Sequence, residues 1–444
     1  MTGARISRWT MSYFAMALVW LLVALALMIA GVGFPSADLA SPDTLVLVHV
    51  VGIGWLSLAM CGALFQFVPV LVAGPLYSEK SALPALALLN AGLALLLAGF
   101  LALGGHLPAW LWLLPSGAIL LVAGFGLVAA DLALTVWARP GGPARFVLAG
   151  LVSLVATVAF GVVFAFALAG WAGSLAQTVP AAVPLHAIAG LGGWLTLTAM
   201  GVSYRLLAMF MLAPDIDDRR SGLMLWAGSL AIAVAVGGGL AAIALSFRLT
   251  LVLSIAAVLG VATVALYGRD VIMIFRRRKR RQLELNTKMA ALSGASLAGA
   301  ALLGGVLVLQ GSFAAQVGAF VYLAVFGWLS GLVLAKLYKI VAFLTWLEAF
   351  GPVMGRAPTP RVQDLVAERR ASKWFVIYYA AVWLGTGLLL LNQPAAFRLA
   401  AMATAVGVLG IVGEIIRTRR LVEVTDSLRL TGGAATPPLL FARH

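Results

Sequence analysis

Two histidines are the residues of this sequence best suited to hold a metal ion or a cofactor. His49 and His186 each lie a turn or two inside a long apolar segment, and the chain has four histidines among 444 residues. Neutral imidazole binds both haem iron and copper, and two imidazoles suffice for an axially ligated haem or for Cu(I). Ionisable residues inside a bilayer often serve function. A neutral histidine bonded to a backbone carbonyl is the structural alternative, and a proton or substrate pathway is a third interpretation.

Several other polar residues fall within apolar segments, toward what we expect to be their inner half. Gln66 lies in the second segment, Arg205 in the sixth, and Lys336 and Lys339 in the tenth. The cationic side chains either extend toward cytoplasmic headgroups or face inward, where with Gln66 they would form a positively charged vestibule. The two lysines are three residues apart and share a helix face. Glu348 is a plausible partner for either lysine.

Three carboxylates recur just before the basic inner ends of apolar segments. Because a lone carboxylate in hydrocarbon is costly, we expect Asp131, Asp270 and Glu414 each to face a neighbouring helix or to pair with a basic end residue. His106 stands in a glycine-rich outer loop and is interpreted as an ordinary solvated histidine. The single cysteine, Cys61, excludes an intramolecular disulfide and a cysteine-rich metal centre.

The composition excludes a soluble globular protein. Apolar residues make up 63% of the chain and charged residues 10%, whereas soluble domains have about 45–50% and about 25%. The net charge of +15 comes from basic residues at the ends of apolar segments, which is a topology signal and not a nucleic-acid-binding pattern. The basic run from Arg276 to Arg281 is interpreted as a topology determinant against anionic headgroups, with protein docking as the alternative.

Twelve apolar runs are long enough to cross a bilayer, which takes about 20 helical residues. We place them near residues 11–34, 44–72, 82–103, 109–137, 145–171, 181–212, 222–246, 250–275, 289–310, 315–350, 373–392 and 396–416. With a cytoplasmic N-terminus, two of the 30 Lys and Arg fall in outer loops and three within spans, which leaves 25 on the cytoplasmic side. The sequence therefore predicts an all-α protein of the inner (cytoplasmic) membrane, with both termini cytoplasmic. We expect one transmembrane domain over 1–444, with a flexible tail over 421–444.

A short motif recurs in the second, sixth and tenth spans. Its copies read HVVGIGWLS (49–57), IAGLGGWLT (188–196) and YLAVFGWLS (322–330). The motif and the recurrent carboxylates together predict three pseudo-symmetric four-helix repeats, near 11–139, 145–281 and 289–420. His186 falls two positions before Ile188, the repeat partner of His49. The repeat alone thus places His186 about 3 Å further along its helix than the partner of His49 and on another helix face, which weakens the predicted pairing of the two histidines and leaves room for an axial ligand from outside the chain.

These features resemble the catalytic subunit of the haem–copper oxidases, particularly the divergent cbb3-type and nitric oxide reductase branches, and also the twelve-helix NnrS-type membrane proteins. The resemblance rests on the three four-helix arcs and on the segments HVVGIGWL (49–56) and PLHAIAGLGGW (184–194). It implies that His49 matches a low-spin haem ligand and that His186 matches a copper ligand. Tyr322, at the position of His49 in the third repeat, would then donate a hydrogen bond to a haem propionate or a bound ligand.

The resemblance does not extend to a catalytic centre. Such a centre needs about four imidazole ligands, but the seventh and tenth spans contain no histidine. We therefore expect no oxygen or nitric oxide reductase activity and predict that the protein is not an enzyme.

Three functional hypotheses follow from the sequence. In the first, a non-catalytic oxidase relative binds b-type haem or copper near the outer face for sensing, delivery or respiratory-complex assembly. Its partners would be the lipid bilayer and other respiratory-chain or metal-handling membrane proteins. The alternatives are a transporter of a small ion or metal on the same scaffold, and a cofactor-free structural subunit.

Overall fold

The computed structural model describes residues 8–139, 141–142, 144–426, 428 and 436–442. These residues form helices joined by turns, and no β-strand occurs among them. Twelve helical stretches of this described part are long and apolar enough to cross a membrane. The prediction of an all-helical, twelve-span membrane protein is therefore confirmed.

The twelve long helices follow the apolar runs of the sequence. They are α1 (Thr10–Ala30), α2 (Pro42–Leu71), α3 (Glu79–Leu103), α4 (Leu113–Trp137), α5 (Ala144–Leu168), α6 (Gly173–Met211), α7 (Asp218–Ala244), α8 (Leu249–Arg276), α9 (Leu285–Leu309), α10 (Phe313–Val353), α11 (Glu368–Leu390) and α12 (Pro394–Arg419). Local chemistry explains several of their ends. Gly31 ends α1 in the left-handed conformation, and the Ser41 hydroxyl accepts the Thr44 amide where α2 begins.

The chain forms two compact units. The first comprises residues 1–39, 61–66 and 283–444, and the second comprises residues 40–60 and 67–282. The first unit therefore contains α1 and α9 to α12 with a short piece of α2, and the second contains the rest of α2 with α3 to α8. The two histidines of interest both belong to the second unit.

Part of the predicted flexible tail, 421–444, lies outside the described residues. The described segment 436–442 is held in the first unit by the buried guanidinium of Arg419. Its Nε donates to the Pro438 carbonyl at 2.8 Å, and its Nη2 donates to the Phe441 carbonyl at 3.2 Å. These bonds fix the described end of the tail to the end of α12.

Close glycine contacts join α3 to α4 in the second unit. A Cβ built on Gly92 would lie 2.9 Å from the backbone nitrogen of Leu121, and one built on Gly117 would lie 2.6 Å from that of Leu96. Helix association in lipid depends on such small residues, which let two backbones meet. The abundance of glycine in this apolar sequence is explained here by packing.

Short π-helical segments interrupt four of the long helices. Three of them, Val50–Ser57, Ile188–Leu197 and Leu323–Ser330, coincide with the three copies of the repeated motif, and the fourth is Val234–Gly238 in α7. The motif tryptophans Trp55, Trp194 and Trp328 are each at most 1% exposed. Segments of this kind are often found at functional sites. The candidate residues His49 and Tyr322 stand directly before two of them.

Candidate functional site

His49 and His186 lie side by side in the second unit, His49 on α2 and His186 on α6. Their ring centroids are 6.4 Å apart, and the ring planes are inclined by 31°. The ring of Phe100, from α3, lies 4.9 Å from that of His49, and the ring of Phe164, from α5, lies 5.5 Å from that of His186. Two imidazoles from distant parts of the sequence therefore meet in an aromatic, largely apolar environment.

Backbone carbonyl groups orient both imidazole rings. Nδ1 of His49 lies 2.7 Å from the carbonyl oxygen of Leu45, one turn earlier on α2, and Nδ1 of His186 lies 3.0 Å from the carbonyl oxygen of Thr157 on α5. Because a carbonyl oxygen can only accept, each Nδ1 carries the hydrogen and each Nε2 keeps its lone pair. Metal-binding histidines typically donate their second N–H in this way. Both rings are thus prepared to bind a metal through Nε2.

A second contact fixes the register of α2 against α6. Nε1 of Trp194 donates to Oγ of Ser57 at 3.0 Å, and both residues lie eight positions after the histidine on their helix. This pair and the histidine pair are each separated by 137 residues, whereas the motif tryptophans are 139 apart. The two helices are therefore displaced by two residues, about 3 Å, relative to the repeat. The displacement offsets the early position of His186, so the register that weakened the predicted pairing of the two rings does not keep them apart.

The number of ligands around the two rings is small. Within the described residues, no group of three or more His, Cys, Asp or Glu side chains is placed to hold a metal ion. A centre at His49 and His186 would therefore use two neutral imidazoles, completed at most by a ligand from outside the chain. This donor set suits a low-coordinate Cu(I) or a haem iron, whose other ligands come from the porphyrin.

Tyr322 lies in the first unit, at the start of the π-helical segment of α10. Its side chain is 6% exposed, and its ring packs 4.9 Å from that of Phe326 and 5.2 Å from that of Phe397. A Cβ on Gly385 would lie 3.0 Å from the tyrosine hydroxyl oxygen. Close aromatic packing is what the structure shows for this residue, and its hydrogen bond to a cofactor stays a prediction.

The lysines of α10 lie in a buried polar cluster of the first unit. Nζ of Lys339 lies 2.7 Å from Oε2 of Glu284, and Lys336, one turn away, is 7% exposed. Glu348, predicted as a partner for either lysine, forms an ion pair with Arg419 at 2.7 Å. The prediction overlooked helix phase, because nine residues at 100° each place Glu348 on the face opposite Lys339.

The other two members of the predicted vestibule differ in burial. Gln66 is 5% exposed in the first unit. Arg205 in the second unit is half-exposed, with 46% of its side chain accessible, and it forms an ion pair with Asp215. Arg205 therefore points to the surface of its unit rather than into the bundle.

The three recurrent carboxylates are all buried and all have partners on other helices. Asp131 accepts from the Ser78 amide at 2.8 Å, Asp270 accepts from the Tyr204 hydroxyl at 3.0 Å, and Glu414 accepts from Arg370. Each acidic group thus joins the C-terminal part of one helix to a neighbouring segment. The partner residues are distant in sequence from the carboxylates. Their residue types alone do not predict these pairings.

Sequence reasoning missed the groups that orient the two histidines. Phe100 and Phe164 are ordinary apolar residues of their helices, and the carbonyls of Leu45 and Thr157 are backbone groups that carry no sequence signal. The motif spacing was the available signal for the α2–α6 contact. No family model matches the chain, and no curated protein matches it. The functional conclusion therefore depends on the geometry around His49 and His186.

Proposed function

We propose that this protein is a non-catalytic membrane relative of the haem–copper oxidases that binds one copper(I) ion between His49 and His186. The observation that carries the proposal is the matched orientation of the two rings. Each donates Nδ1–H to a backbone carbonyl and leaves Nε2 available, and the ring centroids are 6.4 Å apart. A packing role alone requires neither the second free nitrogen nor the proximity of the rings.

The spacing of the rings fits one metal ion. Two metal–nitrogen bonds of about 2 Å, with roughly 1 Å from each nitrogen to its ring centre, span about 6 Å. This sum is close to the separation of 6.4 Å between the ring centroids. Small rotations of the two side chains are enough to complete such a site.

The charge of the surroundings favours a monovalent ion. The desolvation cost of an ion rises with the square of its charge, and the two ligands are neutral imidazoles. No carboxylate joins them in a metal-binding cluster within the described part of the chain. A divalent Zn²⁺ or Cu²⁺ ion would leave two positive charges uncompensated among aromatic rings, whereas Cu(I) leaves one and accepts low coordination.

A b-type haem is the second candidate occupant. Two imidazoles on opposite faces of the haem iron would have nearly the same ring separation as two imidazoles on a linear Cu(I). The haem iron would be held by His49 and His186, both of which belong to the second unit. Ring separation therefore supports both metals, and the charge and simplicity of the donor set put copper first.

The proposed threefold repeat is supported by the pattern of the π-helical segments. The three copies of the motif in α2, α6 and α10 all contain such a segment and a fully buried tryptophan. This recurrence supports three four-helix repeats, in addition to the spacing of the motif and of the three carboxylates. The absence of histidine from α7 and α10 argues against reductase chemistry.

In this proposal the protein holds or delivers copper at the outer face of the inner membrane, with both termini cytoplasmic. The sorting of basic residues supports the orientation. The competing functions are transport of a small ion and a structural role without any cofactor. Respiratory-chain or metal-handling membrane proteins are the partners that a copper-delivery role implies.

Metal analysis combined with a visible spectrum tests the proposal. Protein produced with ample copper and haem, and purified under reducing conditions, should retain about one copper per chain and show no Soret band. His49→Ala and His186→Ala should each lower copper affinity at least about tenfold, since half of the protein ligands are lost. Tyr322→Phe is the matched control and should retain the metal.

The outcomes separate the candidate functions. A Soret band that both histidine substitutions abolish would identify haem as the occupant. Protein without copper or haem after loading would show that the ligand role is wrong, and ion uptake into proteoliposomes would then decide between a transporter and a structural subunit.

A further inference from the structure

A third histidine of the second unit lies where α3 ends and α2 begins. His106 follows the last turn of α3, and its Nε2 lies 3.0 Å from Oδ1 of Asp43 in the first turn of α2. Both side chains remain accessible, with 55% of His106 and 33% of Asp43 exposed. This pair is therefore open to solutes outside the protein.

The carboxylate gives His106 the orientation of a metal-binding histidine. An ionised carboxylate only accepts, so in the neutral form of His106 Nε2 carries the hydrogen and Nδ1 keeps its lone pair. Carboxylate–histidine pairs of this kind commonly stand behind metal ions. His49, His106 and His186, the histidines within the described residues, thus share one arrangement, in which an oxygen atom fixes one nitrogen and the other is available.

The exposed pair of His106 and Asp43 is connected by the same two helices to the half-buried pair of His49 and His186. A Cβ on Gly104 would lie 3.1 Å from the His106 ring and 3.4 Å from Pro42, so the imidazole sits over the junction of α3 and α2. His49 is six residues after Asp43 on α2, about 9 Å along the helix axis. Phe100, four residues before Gly104 on α3, brings its ring within 4.9 Å of the His49 ring.

The geometry points to a capture site at His106 and Asp43 that loads copper(I) into the centre at His49 and His186. This inference rests on the proposed function. Nδ1 of His106 binds the ion first, and the nearby carboxylate offsets its positive charge while it leaves water. Exchange then breaks the bond to His106 and forms bonds to Nε2 of His49 and of His186. No electron is transferred, and no proton moves.

The competing explanation is a structural ion pair that ties the loop after α3 to the start of α2. An acidic residue in the first turn of a helix is also favourable for the helix dipole, so Asp43 has a structural use in any case. The two explanations differ in what they require of position 106. A structural tie needs a donor to Asp43, whereas a capture site needs a ring nitrogen with a free lone pair.

The test measures the rate of copper loading separately from the final copper content. Full-length protein in nanodiscs of phosphatidylethanolamine and phosphatidylglycerol is mixed, without oxygen, with the coloured copper(I)–bicinchoninate complex, whose loss of absorbance reports transfer. His106→Ala should slow loading at least about fivefold, because the raised local concentration of the ion near His49 and His186 is lost. The final copper per chain should not change. Asp38→Asn, which removes a charge from the same loop region as Asp43, is the control.

His106→Gln decides between the two explanations. The glutamine amide can still donate to Asp43 but has no lone-pair nitrogen, so a capture site predicts slow loading equal to that of His106→Ala. Loading at the wild-type rate by His106→Gln would overturn the capture site while leaving the centre at His49 and His186 intact. Wild-type protein that takes up no copper would overturn the proposed function and the capture site together. Loss of final copper in His49→Ala, with normal loading in both His106 variants, would reject the capture site alone.

Discussion

The half-buried histidines His49 and His186 differ from the other polar side chains of the membrane-spanning helices in the groups that hold them. Lys339 and Arg419 each pair with a carboxylate, and Asp270 accepts from a tyrosine, so their hydrogen-bonding groups are used within the protein. The histidines are held through one nitrogen each, by carbonyl groups. The sequence located both histidines, but the carbonyls that orient them belong to residues whose types give no signal.

Glu423, which lies outside the membrane-spanning helices, should make a contribution to stability that depends on pH. Its Oε1 accepts from Arg370 at 2.7 Å and from Arg417 at 2.9 Å, and these two guanidinium groups, Arg370 first, lower the pKa of Glu423. A glutamate whose pKa is lower in the folded state stabilises the folded protein at pH values above the ordinary glutamate pKa of about 4.3. This stabilisation is lost as the pH falls toward the lowered pKa of the folded state.

Glu423→Gln should therefore lower the thermal unfolding midpoint at pH 7 and have a smaller effect as the pH falls below about 4.3. The group is partly accessible, so we expect a change under about 1 kcal/mol, or less than about 2 °C. Differential scanning fluorimetry across this pH range measures it. An effect of equal size at both ends of the range would contradict the assigned ion pairs.

At the scale of the helices, the positions of the spans were predictable and their register was not. The apolar runs gave twelve spans because each helix must be about 20 apolar residues long to cross a bilayer. The repeat aligns Trp194 with Trp55 in sequence, but in the structure Trp194 donates to Ser57. A displacement of two residues between α2 and α6 depends on how the π-helical segments pack, which a motif alignment does not contain.

The contact of α3 with α4 gives a prediction with an internal control. Gly117→Ala should lower the free energy of unfolding by about 1–3 kcal/mol, and with it the thermal unfolding midpoint. The reason is that the added Cβ would lie 2.6 Å from the backbone nitrogen of Leu96, which cannot rotate away. Gly126→Ala on the same helix, where nothing lies within 4 Å of the added atom, should leave the midpoint unchanged or raise it slightly. Thermal melts in detergent measure both. Equal midpoints for the two variants would show that the helices are not in backbone contact at Gly117.

At the scale of the whole molecule, the distribution of basic residues predicts the orientation in the membrane. Of 30 Lys and Arg, 25 fall on the side that we assign to the cytoplasm, and long helices alternate in direction across the bilayer. Reporter fusions after residues 40, 106 and 176 should therefore all report the outside. A cytoplasmic signal at any one of them would contradict either the orientation or the assignment of twelve spans. The threefold repeat, in contrast, needs tertiary pairing and stays a proposal.

The most direct measurement of the central claim is X-ray absorption at the copper edge of the reduced, copper-loaded protein. Two imidazoles on Cu(I) predict two nitrogen neighbours at about 2 Å, with outer-shell scattering from the imidazole rings. His49→Ala and His186→Ala should each remove this signal, while His106→Ala should leave it unchanged. A copper ion with four oxygen or nitrogen neighbours, or a spectrum unaffected by the first two substitutions, would contradict a centre at His49 and His186.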